Sequence, residues 1–186
     1  EIEIWYDGDS EIVAALTAPD GTTTGAVPLG RRATLGEGSW ARVYHRANDP
    51  NNGDHHVDIF IYPDAPAGTW QIDLQPIRGK AIKYHAWIER DPGGGARQMR
   101  FPREVADRQV THGTIASGRL PIATGAYDPA SPERALAIFS SSGPTRDGRM
   151  KPELLAPGVD ILAARSAPPG ATENPGLLTE KSGTSM

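Results

Sequence analysis

The sequence predicts an antiparallel all-β sandwich or jelly roll over residues 1–90, followed by a stretch too sparse to build a core of its own. Three observations predict this. Apolar residues recur with period two, at Ile2, Ile4 and Tyr6, at Ile12, Ala14 and Leu16, and at Val57, Ile59 and Ile61, as they do in strands that bury one face. Turn-forming clusters separate these runs: Asp7-Gly8-Asp9, Pro19-Asp20-Gly21, Asn48 through Gly53, Pro63 through Gly68 and Arg78-Gly79. Short strands punctuated in this way are the mark of sandwiches and jelly rolls. Finally, nine of the twelve aromatic residues lie before residue 90 and eleven of the seventeen prolines after it, so the two halves are built on different plans.

Taken in order, strands are expected near 1–6, 11–18, 41–46, 56–62, 69–75 and 80–90, with Gly30 to Gly38 read as a long connection. Residues 91–111 form the expected linker. They open with Asp91-Pro92-Gly93-Gly94-Gly95, whose proline and glycines interrupt regular structure. Within 112–186 a buried strand is expected over Leu120 to Tyr127, a second apolar run over Ala135 to Phe139, a further strand over Val159 to Ala164, and a loop from Pro168 to Pro175. This last part holds two aromatic residues and no convincing amphipathic helix. A segment of that size buries too little surface to offset its chain entropy. The remainder of a larger domain is therefore an expected partner.

Composition excludes several classes. The 19 basic and 23 acidic residues give a net charge of -4 and fall in no long run of one sign, so no nucleic-acid partner is expected. No apolar stretch approaches the roughly 20 residues that span a bilayer. The absence of cysteine removes disulfides and thiolate chemistry. The chain opens directly on the alternating Glu1-Ile2-Glu3-Ile4-Trp5-Tyr6 and stops just after a small-residue turn; a piece of a longer protein is the expectation.

The specific chemical signal lies near the C-terminus. Phe139-Ser140-Ser141-Ser142-Gly143-Pro144, then Lys151-Pro152-Glu153-Leu154-Leu155-Ala156-Pro157-Gly158-Val159, then Ser182-Gly183-Thr184-Ser185-Met186 together resemble the last third of a subtilisin-like serine protease catalytic domain (the subtilase, or peptidase S8, family). The preceding Ile122 to Asp128 is similar to that family's buried strand upstream of the Phe-Ser-Ser motif. The resemblance implies an incomplete α/β subtilisin-like fold over 112–186, serine endopeptidase activity on a polypeptide substrate, and Ser185 as the nucleophile. Glu153 stands where the family usually has Asp, and Ser142 where Arg or an aromatic residue is common.

Elementary chemistry asks for the same site. A serine hydroxyl is a weak nucleophile until a base is positioned to take its proton, so the backbone around it must be compact and fixed. Gly183 is expected to supply that compactness, with Thr184 beside it. A helix starting at Ser185, as the family has, would place the Ser185 amide in an oxyanion hole, where loss of one donor costs roughly two to three orders of magnitude in rate.

A triad also needs a histidine and a carboxylate. His112, in His112-Gly113-Thr114-Ile115, is similar to the family's His-Gly-Thr signature. Two readings stand: the general base, or part of a loop in which Gly113 and Thr114 line the substrate pocket. Only 73 residues separate His112 from Ser185, a much shorter interval than the family's, and the register runs on into the 122–127 strand. The loop reading is preferred, and the resemblance then places the catalytic Asp, His and oxyanion Asn upstream of Glu1. The chain by itself is expected to be inactive.

His45, His55, His56 and His85 fall in or beside expected strands, and the adjacent pair 55–56 points to opposite faces, which is wrong for chelating one metal. Asp7, Asp9, Asp49 and Asp54 lie in turns without the spaced carboxylates of a dedicated calcium loop. No metal ligand is assigned and no cofactor is evident, although a structural calcium ion stays compatible with the family resemblance.

In the first half, Gly68-Thr69-Trp70-Gln71-Ile72-Asp73-Leu74 resembles the Gly-Thr-Trp strand of jelly-roll P domains that accompany proprotein-convertase proteases. Similar barrels are inserted in some bacterial subtilases. The resemblance implies an inserted jelly roll over 1–90 and a secreted or cell-envelope location. The competing reading is a non-catalytic jelly-roll binding module attached to a pseudoprotease remnant.

Overall fold

The computed structural model describes residues 1–78, 82–90, 98–166 and 176–186. Among these residues the secondary structure is all β, in two compact units, Glu1–Arg103 and Glu104–Met186. Among the described residues no helix is long and apolar enough to cross a membrane. The expected hinge at 91–95 and the loop at 168–175 lie outside the described residues.

Among the described residues the first unit contains eight strands: β1 (Ile2–Tyr6), β2 (Glu11–Thr17), β3 (Val27–Pro28), β4 (Arg32–Leu35), β5 (Ala41–Arg46), β6 (His55–Ile61), β7 (Gln71–Arg78) and β8 (Tyr84–Ile88). They form a five-stranded sheet in the order β4-β5-β6-β1-β8 and a three-stranded sheet in the order β3-β2-β7, and every pairing is antiparallel. The period-two pattern accounts for the core. Ile2, Ile4 and Tyr6 from β1, Val43 from β5, and Val57 and Ile59 from β6 meet Ile12, Ala14 and Leu16 from β2 and Val27 from β3 in one buried cluster. Trp40, Trp70, Ile72, Leu74, Met99 and Phe101 pack around it. A fully buried isoleucine or leucine side chain contributes roughly 1.5–3 kcal/mol relative to an exposed one, and this cluster is what makes the unit a sandwich.

Two polar groups enter that core, and they satisfy each other. His45 Nδ1 lies 2.9 Å from the Val27 carbonyl. A carbonyl only accepts, so Nδ1 carries the proton and Nε2 is free to accept from the Tyr6 hydroxyl at 2.6 Å. Burial lowers the pKa of His45 and raises that of Tyr6, so both remain neutral around pH 7. His55 is also buried, with Nδ1 accepting from the Asn48 amide at 3.0 Å. His56, on the opposite face, stacks on Trp5 with ring centroids 4.4 Å apart. Beside it the carboxylates of Glu1, Glu3 and Asp58 converge within 4.8 Å of one another, but Asp58 is already paired with Arg46 at 2.7 Å.

The unit's first and last strands are neighbours. β1 pairs with β8 with Ile2 opposite Ile88, and the Glu89 amide donates to the Glu1 carbonyl at 2.9 Å.

The second unit holds β9 (Thr124–Tyr127), β10 (Leu154–Pro157), β11 (Ile161–Ala164) and β12 (Leu178–Lys181). β9 and β10 pair in parallel, β11 and β12 antiparallel. Its buried apolar residues, among those described, are the alanines Ala123, Ala126 and Ala137. Large apolar side chains lie outside: Leu120 is 95% exposed and Ile138 102%. The expected buried strand over 120–127 is therefore shortened to 124–127, and the 135–139 run forms a single bridge, Leu136 to Tyr127. Polar clamps hold the loops instead.

Candidate active site

The Ser182-Gly183-Thr184-Ser185-Met186 turn follows directly on β12, and two sets of contacts fix where it starts. The Gly183 amide donates to the Gly158 carbonyl at 2.8 Å, and the Gly158 amide donates to the Tyr127 carbonyl at 3.0 Å. Ser182 Oγ accepts from the Asp160 amide at 2.9 Å and donates to the Asp160 carboxylate at 3.0 Å. The turn is thus tied through Gly158 to the end of β9. The Met186 amide closes it onto the Gly183 carbonyl at 3.4 Å, and Ser185 is exposed.

Gly158 is the crowded position. A Cβ there would lie 2.6 Å from Ala126 Cβ and 2.8 Å from the Gly183 carbonyl oxygen. At Gly183 a Cβ would meet nothing closer than Met186 Cε at 3.7 Å. The compactness expected of Gly183 is therefore met one strand away. The sequence reading missed this, because the close approach is between segments that only the fold brings together; the signal available was the glycine after Ala156-Pro157.

Around the Phe139-Ser140-Ser141 motif, Ser140 Oγ accepts from the Ala126 amide at 3.1 Å, and the Ala137 amide donates to the Ala126 carbonyl at 3.0 Å. Thr111 and Ser142 bind each other twice: the Thr111 amide donates to the Ser142 carbonyl at 2.9 Å, and the Ser142 amide donates to Thr111 Oγ1 at 2.8 Å. Lys151, 4% exposed, donates through Nζ to the Pro121 carbonyl at 2.6 Å and pairs with Glu153. Glu153 in turn accepts from the Ala123 amide at 2.8 Å. Lys151 and then the Ala123 amide lower its pKa. Glu153 therefore fastens the entry to β9.

A second clamp holds the 113–118 segment. Arg149 donates to the Ser117 carbonyl at 2.7 Å and the Gly118 carbonyl at 3.3 Å, while its Nε lies 2.8 Å from the Asp147 carboxylate. Hydrogen bonds from Arg149 and then Thr145 pull Asp147 down to about 2. Gly113 and Thr114 are exposed in this turn, which is closed by the Ser117 amide on the Gly113 carbonyl at 3.1 Å.

His112 is placed differently. Both ring nitrogens are buried and neither has a hydrogen-bond partner among the described residues, so the ring is not bonded to Ser185 in this structure. Desolvation and then the nearby Lys151 charge lower its pKa, with Glu153 opposing them. Gly183, Thr184 and Ser185 are brought together in one turn, and Gly113 and Thr114 in another.

Residues 95–186 match the subtilase family (Peptidase S8). The match supports a serine-type, subtilase-like protease as the class of protein to which this second unit is related. The Dictyostelium relatives carry a serine protease name. The chain is 55% identical over 38 residues to the serine protease/ABC transporter B family protein tagA of Dictyostelium discoideum, covering 20% of the chain and 2% of that protein. It is 44% identical over 62 residues to tagD of the same organism, covering 29% and 3%. An uncharacterized protein of Aquifex aeolicus, aq_aa18, is 38% identical over 78 residues, covering 42% of the chain and 33% of that protein. Among solved structures, the CspB protease of Clostridium perfringens superposes on the whole chain with a TM-score of 0.72 at 24% identity, over 38% of the CspB chain. At that identity the likeness is one of fold, and it extends through both units. The chain spans only a small part of the length of the curated Dictyostelium relatives.

Proposed function

We propose that this chain is part of a subtilisin-like serine endopeptidase and that Ser185 is its nucleophile. The observation that carries the reading is the turn at 182–186, tied to β9 through Gly158, within a segment that matches the subtilase family. In the proposed reaction Ser185 Oγ gives its proton to a histidine and attacks the scissile carbonyl. The Ser185 amide is one donor to the oxyanion, the amine leaves with the proton returned by the histidine, and water hydrolyses the acyl-enzyme. The catalytic Asp and His and the oxyanion Asn come from sequence outside these residues. The exposed apolar side chains of the second unit support this, since Leu120, Ile138, Met150 and Leu177 have no core here to enter.

On this proposal the first unit is an inserted jelly roll, a reading supported by its two antiparallel sheets around one core. His112 is a loop residue, and Gly113 and Thr114 line the substrate pocket on the exposed turn held by Arg149. A structural calcium ion and a secreted or cell-envelope location belong to the same proposal through the family resemblance.

The test is labelling of the full-length protein by a fluorophosphonate. Wild-type protein is expected to label and Ser185→Ala protein to remain unlabelled; labelling that survives the substitution refutes the nucleophile. His112→Ala is expected to label at close to the wild-type rate, whereas loss of a catalytic histidine costs about 10⁴-fold or more. Labelling abolished in folded His112→Ala protein would make His112 the base.

A further inference from the structure

The outer face of the five-stranded sheet carries a basic groove that the protease reading does not use. β5 alternates buried Ala41, Val43 and His45 with outward-facing Arg42, Tyr44 and Arg46. Arg32 on β4 stands opposite Tyr44, and Thr34 opposite Arg42. Two hollows sharing Arg32 and Tyr44 run along this edge. One, of about 560 Å³, is lined by Gly30, Arg31, Arg32, Tyr44, His45 and Arg46. The other, of about 290 Å³, adds Ala33, Thr34 and Arg42.

The charges in the groove are unevenly committed. Arg46 is engaged by Asp58 at 2.7 Å. Among the described residues, no carboxylate pairs with Arg31, Arg32 or Arg42; Arg42 lies over the Tyr62 ring at 5.8 Å. Three guanidinium groups with no carboxylate partner among the described residues thus stand together along this edge, on a chain of net charge -4. Planar guanidinium forks suit carboxylates in pairs.

The backbone adds a second requirement. β4 is the outer strand of its sheet. The His45 amide donates to the Arg31 carbonyl at 2.9 Å, so the antiparallel alternation turns the main-chain groups of Ala33 toward β5 and those of Arg32 and Thr34 toward the open edge. An exposed edge of this kind pairs with an extended chain.

We infer that the β4 edge binds an extended, carboxylate-rich peptide segment. Its side-chain carboxylates pair with Arg32 and Arg42, and its main chain pairs with the open groups of Arg32 and Thr34. A sulfated polysaccharide would satisfy the arginines but not the strand edge.

The experiment is fluorescence anisotropy on the full-length protein with a labelled peptide of alternating Glu and Val. A matching Lys-Val peptide and a sulfated polysaccharide serve as the other arms. Saturable, salt-sensitive binding of the Glu peptide is expected, weakened about tenfold in the Arg32→Gln/Arg42→Gln double variant. Thr34→Pro, which removes an edge donor without touching the ladder to β5, is expected to weaken it as well. No saturable binding, equal affinity for the Lys peptide, or indifference to the arginine substitutions overturns the inference. Binding of the polysaccharide without the peptide, or indifference to Thr34→Pro, overturns the strand-pairing assignment. The exposed single variant Arg32→Gln carries the same test should the double variant fail to fold.

Discussion

Replacing Gly158 by alanine separates packing from chemistry at the proposed nucleophile. Gly158 lies outside the left-handed region of backbone space, so the new residue meets no conformational objection and its effect is steric. The added Cβ would sit 2.6 Å from Ala126 Cβ and 2.8 Å from the Gly183 oxygen, whereas carbon atoms rest comfortably at about 3.5–4.0 Å. Relief requires a shift of about 1 Å, either of β9 or of the 182–186 turn. Overpacking of this kind costs roughly 1–3 kcal/mol. Part of the shift falls on the Gly183 to Gly158 hydrogen bond that anchors the turn, and a displacement of about 1 Å at a reacting group costs on the order of 10²-fold in rate. Fluorophosphonate labelling of full-length Gly158→Ala protein is therefore expected to slow about 100-fold while circular dichroism still reports a folded molecule. Gly148→Ala is the control. Gly148 has φ +83° and open space around it, so its cost is conformational, about 1 kcal/mol, with the labelling rate unchanged. Equal labelling by folded Gly158→Ala and wild-type protein would refute the claim that this contact positions Ser185.

Two further outcomes concern the buried and clamped polar groups. Tyr6→Phe removes the hydroxyl that His45 Nε2 accepts from at 2.6 Å and is expected to destabilise the protein by about 1–3 kcal/mol, read as a lower thermal midpoint. Because burial lowers the His45 pKa, the unfolded chain takes up the proton first. His45's contribution is present in full above the unfolded value of about 6.5 and declines as pH falls below it, so wild-type chemical denaturation between pH 7 and 5 should show falling stability, with a smaller slope in His45→Gln. Asp147, held at about 2 first by Arg149, contributes stability above the unfolded carboxylate value that is lost as pH falls through about 2. Its side chain is 47% exposed, so solvent screening limits the effect to less than about 1 kcal/mol. A carboxyl NMR titration midpoint near 4 for Asp147 would disprove the clamp.

The legible and illegible parts of this molecule divide along physical lines. Strands whose alternation alone buries one face, such as Ile2–Tyr6 and Ala41–Arg46, stand out from the sequence. β4 does not: four residues between Gly30 and Gly36 with one buried side chain, Leu35, carry no period, and pairing with β5 is what makes them a strand. In the second unit β10 and β12 lie in turn-rich sequence and are defined by their partners. The Ser185 turn is visible as a motif because its chemistry is local. Its anchor at Gly158, the Lys151–Glu153 clamp on Pro121 and Ala123, and the Arg149 grip on Ser117 and Gly118 join residues some 25 to 32 positions apart. No local pattern encodes such pairs.

The adjacency of β1 and β8 makes the first unit nearly a closed ring of chain. With Glu89 bonded to Glu1 and neighbouring strands about 4.8 Å apart, a short bridge would join the two ends, and the exposed Asn51–Gly53 turn offers a place to cut instead. The sandwich is then indifferent to which strand comes first. A permuted chain that begins at β6 is expected to keep the sheet order β4-β5-β6-β1-β8.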